Sequence, residues 1–133
     1  MKATARRRHG FTHDVEIEGG HTLVMDEPAE AGGANEGPSP TRTVAAALAA
    51  CTAVTVEMYA DRKGWDLGEI EVEADLEYGS KSSIESFIVT LRVPKPLDEE
   101  QQRRLLVIAG KCPVHRALVS ETKVSIDDRI ESQ

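Results

Sequence analysis

Residues 69–78, EIEVEADLEY, alternate without a break: Ile70, Val72, Ala74, Leu76 and Tyr78 fall on one face and acids on the other. A period of two with one polar side predicts a strand with one face wet. After GSKSS, the run IESFIVTLRV sets Phe87, Val89, Leu91 and Val93 on a common face. It predicts a second, antiparallel strand, ended by Pro94 and Pro96. Nearer the N-terminus, HDVEIEGGHTLVMD (residues 13–26) holds two extended runs around Gly19 and Gly20. Such a pair suits the positive backbone angles of a tight turn, so a β-hairpin is expected there, preceded by a short strand through Arg8.

Helical patterns fill much of the rest. PAEAGGANEGPSP (residues 28–40) lacks any period and reads as a long loop of functional interest. Ser39 and Pro40 then form a helix start, the first as a cap and the second at a position whose N–H would have no partner anyway. The helix should run to about Lys63, with Gly64 as its stop. Between Val44 and Val56 it is apolar or small on every side, which predicts a helix buried all round, with Cys51 near its middle. Asp98 begins another helix in capping-box spacing with Gln101, and Glu99 and Glu100 favour its first turn. Leu105, Ile108, Ala109 and Cys112 recur at helical spacing and mark its buried face. Pro113 disfavours continuation through Cys112 but suits the start of a further short helix, VHRALVSE, with Cys112 just before it. KVSID (residues 123–127) is expected as a final strand.

Composition narrows the class. A chain of 133 residues, 40% hydrophobic and 29% charged, suits one soluble globular domain over residues 1–133. Aromatic residues are scarce, so the core must be aliphatic, and a small aliphatic core is often completed across a dimer interface. A net charge of -7 argues against nucleic acid, whose sites need clustered cations. Arg6, Arg7 and Arg8 are the single basic run: a solvated arm, or a strand that lends one arginine to an anionic site. No apolar run follows them, which argues against a signal peptide, and no segment is expected to span a bilayer. The cytoplasm is therefore the default compartment, where two cysteines do not form a standing structural disulfide.

Cys51 and Cys112 are then inert core residues, metal ligands or redox-active thiols. Free cysteine is among the most buried residue types, which favours packing. Against that, Cys112 would stand where free N–H groups at a helix start stabilise a thiolate, and Arg8 or a neighbour could supply a cation. A zinc site would draw on Cys112 and His115 with His9, His13 or His21, but Cys51 has no paired ligand near it. A Cys-His-Asn hydrolase has no pattern to support it.

GGANEGPSP, AAALAACTAVTVEMYADRKGW and IAGKCPVHRAL, taken together and in this order, resemble the OsmC/Ohr family of bacterial thiol peroxidases, in particular its OsmC-like branch. The resemblance covers nearly the whole chain. It implies an α+β fold with antiparallel sheets packed on a long central helix, in an intertwined homodimer with active sites at the subunit interface. It implies further that Cys51 attacks a peroxide oxygen and becomes a sulfenic acid, that Cys112 condenses with it to a disulfide, and that a dithiol reductant, in part of the family a lipoylated protein, restores both thiols. No cofactor is implied. The family pattern adds an arginine from the N-terminal strand, aligned with Arg8, and a glutamate at the start of the cysteine helix. Thr41 stands at the glutamate position, with Glu36 or Asp26 as substitutes from neighbouring loops.

The expected function is thus reduction of organic hydroperoxides in oxidative-stress defence. Two rivals stay open: a small-molecule binding module whose thiols are packing, favoured by the missing glutamate, and general thiol-disulfide exchange.

Overall fold

A computed structural model describes residues 1–126, 130 and 131. Its elements run β1 (Ala3–His9), β2 (Thr12–Ile17), β3 (His21–Met25), α1 (Pro40–Lys63), β4 (Glu71–Tyr78), β5 (Ile84–Arg92), α2 (Glu99–Ala109) and α3 (Pro113–Val119). The strands form two small antiparallel sheets, β1-β2-β3 and β4-β5, so the fold is α+β as the patterns predict. The chain divides into two compact units. The first comprises Met1–Ala49 and Glu73–Thr90, the second Ala50–Val72 and the chain from Leu91 on.

In the first unit the basic run is no solvated arm. Arg6, Arg7 and Arg8 lie within β1, which pairs antiparallel with β2. The β2-β3 turn uses Gly19 and Gly20 at φ of 111° and 97°, backbone that side chains with a Cβ rarely adopt. Behind it, Asp26 is buried and its carboxylate organises the long loop. Thr12 Oγ1 donates to it at 2.7 Å, as do the backbone N–H groups of Glu27 at 2.7 Å and Glu36 at 3.1 Å. Burial alone would raise the Asp26 pKa, but these donors, led by Thr12, outweigh it and hold the group at about 2. The loop then delivers Ser39, whose Oγ accepts the Arg42 N–H at 3.3 Å and caps α1.

In the second unit, Val56, Tyr59 and Ala60 of α1 pack with Leu67 and with Leu105 and Ile108 of α2. Each fully buried aliphatic side chain of this kind contributes about 1.5–3 kcal/mol. Tyr59 meets Trp65 edge-on, ring centroids 5.6 Å apart, and its hydroxyl accepts from Arg104 Nε at 3.1 Å. The capping box of α2 is present in both directions: the Gln101 N–H donates to Asp98 Oδ1 at 2.7 Å, and the Asp98 N–H to Gln101 Oε1 at 3.0 Å.

Three expectations change. Helix α1 is not buried all round within the chain: Leu48, Thr52, Val56, Tyr59 and Ala60 are buried, whereas Ala47, Ala50, Val54 and Met58 share an exposed face, Val54 at 50% and Met58 at 59%. An apolar stripe on each side was read as full burial because composition cannot say how many neighbours a helix has. At 24 residues, α1 is also long and apolar enough to cross a membrane by length and composition, contrary to expectation; here its apolar residues supply part of the second unit's core. Helix α2 ends at Ala109 and Pro113 opens α3 with Cys112 just before it, as the sequence predicts. Finally, residues 123–126 form no strand, since a strand needs a partner ladder and Val124 and Ile126 stand exposed; Asp127 lies outside the described residues.

Candidate active site

The second unit brings the two cysteines together. Cys51 lies on α1, half-buried, while Cys112 is the N-cap of α3 and fully buried at 0% exposure. Both are free thiols, and their sulfurs stand within hydrogen-bonding reach, Cys51 as donor to Cys112. Pro113 causes this placement: by ending α2 and starting α3 it turns the chain so that Cys112 Sγ faces the free N–H groups of the new helix. The His115 N–H donates to that sulfur at 3.4 Å.

The two thiols are consequently unlike. Burial would push the Cys112 thiol up, but donation from Cys51 and the His115 N–H, helped by Thr52 and the Val114 N–H, brings it below its ordinary value. Cys51 moves the other way. Burial raises it first, and giving its proton to the hydrogen bond with Cys112 raises it further. The pair therefore titrates as a unit, with the first negative charge favoured on the Cys112 sulfur and the half-buried Cys51 sulfur carrying the shared proton.

Arg8 belongs to the first unit and its guanidinium is taken up by carboxylates. It donates to Asp14 through Nε at 3.2 Å and through a terminal nitrogen at 2.6 Å, and stands 3.7 Å from Glu36. Side-chain hydrogen bonding to Asp14 raises the Arg8 pKa and lowers that of Asp14. Glu36 also lies 3.2 Å from His9 Nε2. Of the two substitutes for the missing glutamate, Glu36 reaches Arg8, whereas the oxygens of Asp26 are spent on Thr12 and the loop backbone. Thr41 Oγ1 pairs with the Tyr78 hydroxyl at 2.8 Å, on the wall of a cavity of about 350 Å³.

Asp14 is the Arg8 partner that sequence reasoning missed. The signal was present: basic residues on β1 meet acids on β2 across a hairpin, Arg8 reaching Asp14 diagonally as Arg6, itself opposite Asp14, reaches Glu16 at 2.6 Å. His13, one of the histidines weighed as a metal ligand, instead bonds the Phe11 carbonyl through Nδ1 at 2.8 Å. Among the described residues no three His, Cys, Asp or Glu side chains gather as a metal-binding group.

Residues 33–127 match the profile of a family described as OsmC-like protein. The chain belongs to the OsmC-like family. Solved structures agree on the fold. An OsmC-like protein from Mycoplasma pneumoniae superposes at a TM-score of 0.75 and 15% identity over 88% of this chain and 85% of its own. An organic hydroperoxide resistance protein OsmC from Legionella pneumophila gives 0.64 and 22% over 90% of each. The organic hydroperoxide resistance protein OhrB of Bacillus subtilis gives 0.58 and 27% over 91% of this chain and 93% of its own. No curated protein matches the chain in sequence. The OsmC-like match spans both cysteines.

Proposed function

We propose that this OsmC-like chain is a thiol peroxidase that reduces organic hydroperoxides through Cys51 and Cys112. The observation that carries the reading is the pair itself: two free thiols within hydrogen-bonding reach in one compact unit, one accessible and one buried. Access assigns the roles. A peroxide oxygen can meet the half-exposed Cys51 sulfur, whereas Cys112 is enclosed and suits the resolving step.

The chemistry balances as follows. Once the pair has lost its first proton to solvent, Cys51 passes the remaining proton across the hydrogen bond to the Cys112 thiolate and itself becomes the thiolate. Its sulfur attacks one peroxide oxygen, the O–O bond breaks, and the alkoxide leaves and takes a proton from water as the alcohol. The Cys51 sulfenic acid then condenses with the Cys112 thiol, forming the S–S bond and releasing water. Two electrons have moved from the thiols to the peroxide, and a dithiol reductant, of the lipoylated kind, returns them by exchange. A second copy of the chain covers the exposed face of α1 in a homodimer, and the protein works in the cytoplasm.

The direct test is to treat the reduced protein with one equivalent of cumene hydroperoxide and look by mass spectrometry for a disulfide between Cys51 and Cys112. Thiols that stay free under those conditions sink the proposal and favour a binding module that keeps the fold without the reaction.

A further inference from the structure

The cavity of about 350 Å³ beside Thr41 lies wholly within the first unit, lined from the start of the long loop, the first turn of α1 and the end of β4. It uses neither cysteine. Ser39, Thr41 and Tyr78 bring hydroxyls to its wall, and these form a row. Ser39 Oγ accepts the Arg42 N–H at 3.3 Å and stands 3.4 Å from Thr41 Oγ1, which in turn stands 2.8 Å from the Tyr78 hydroxyl. Three O–H protons serve two contacts, so in either direction one proton is left at an end of the row to donate outward. Arg42 lines the same wall. Donation from Thr41, reinforced by Arg42 and Ser39, outweighs burial and lowers the Tyr78 pKa, so this side of the cavity also favours negative charge.

Glu27 and Glu30 line the cavity as well. Elsewhere in this unit opposite charges close up, Arg6 on Glu16 and Arg8 on Asp14, each at 2.6 Å. Here they do not: neither Glu27 nor Glu30 has an ion-pair partner among the described residues, and Arg42 stays beyond ion-pair distance of both. A simple anion would meet the two carboxylates, and a simple cation would meet Arg42. A molecule that carries both charges a few bonds apart satisfies both sets at once. The volume lies at the low end of the range for small-molecule sites, roughly 300–1,000 Å³, and Pro28 and Ala31 add a small apolar patch for a side chain.

We propose that this cavity is a binding site for a small zwitterion of the α-amino-acid type, its carboxylate taken by Arg42 and the Ser39–Thr41–Tyr78 hydroxyl row and its ammonium by Glu27 and Glu30. The site goes beyond the peroxidase reading and is tested without a peroxide.

The experiment titrates the whole chain with L-leucine, with N-acetyl-L-leucine, which lacks the ammonium, and with L-leucinamide, which lacks the carboxylate, and follows backbone amide shifts by NMR. Leucine should bind with a dissociation constant of about 1 mM or tighter, and each analogue at least about tenfold more weakly. The shifts should centre on residues 27–42 and 78–82. Arg42→Gln, and separately Glu27→Gln combined with Glu30→Gln, should each cost leucine about tenfold in affinity, and Tyr78→Phe roughly fivefold. Amide spectra unchanged away from the cavity confirm that each variant is folded. Glycine and L-glutamine repeat the titration with a smaller and a polar side chain. Equal affinity for the three leucine compounds, leucine affinity unmoved by the charge variants, or no shift with leucine, glycine or glutamine at about 10 mM overturns the proposal.

Discussion

Cys51 and Cys112 differ in access and in the direction of their pKa shifts, and the two differences point to different variants. Cys51→Ser should abolish hydroperoxide consumption. Cys112→Ser should still react once, but its sulfenic acid has no thiol to condense with, so mass spectrometry after excess peroxide should find sulfinic acid at Cys51 in most molecules. The pH dependence follows from the directions of the two shifts. Because the pair loses its first proton below the ordinary value of a thiol, Cys51 oxidation in the native protein should reach its plateau at a lower pH than in a variant without Cys112. In Cys112→Ser the low-pKa acceptor is gone while burial still raises Cys51, so the midpoint should move up. Stopped-flow rates between pH 6 and about 10 distinguish the two. Much of this was legible in the chain: Cys112 before Pro113 foretold a thiol at a helix start. The hydrogen bond between the sulfurs was not, because they are sixty-one positions apart (112 − 51) and only packing brings α1 and α3 together.

At the scale of elements, the loop between β3 and α1 depends on one carboxylate. Asp26 accepts from Thr12 and from backbone N–H groups on both sides of the loop. Asp26→Asn replaces an acceptor oxygen by an NH₂ facing those donors and should lower the melting temperature at pH 7 by about 5 °C. The sign with pH is set by a folded pKa of about 2, depressed from the ordinary carboxylate value. Its stabilisation is present in full above about pH 4 and lost as pH falls through about 2, so the gap between native and variant melting temperatures should close over that window. Periodicity predicted the strands and caps around this loop, since alternation and capping are local properties. The family resemblance offered Asp26 as a substitute for the missing glutamate, however, because a buried structural carboxylate and a reactive one look alike in a sequence. Only the hydrogen bonds separate them.

For the whole molecule the informative surface is α1. Val54 and Met58 are half-exposed or more on a helix whose apolar composition led to an expectation of full burial. If a second copy covers that face, Met58→Lys places a charge in the interface and should convert a dimer to a monomer, or raise its dissociation constant by at least about tenfold. Light scattering after size exclusion reads the change, and a native chain that is already monomeric at micromolar concentration would remove the dimer from the proposal. The apolar excess of α1 was plain in AAALAACTAV; how much of it a single chain buries was not, because that depends on how many surfaces meet the helix.

The sequence by itself determined the period of each element, the caps at Ser39 and Asp98, the break at Pro113 and the OsmC-like pattern that carries both cysteines. These are properties of neighbouring residues, and backbone sterics read them directly. Tertiary structure alone decided that Arg8 is held by Asp14, that Asp26 ties a loop and that Cys51 donates to Cys112. Each is a contact between segments distant in the chain or a matter of what fills the space around a side chain, and no local pattern encodes it.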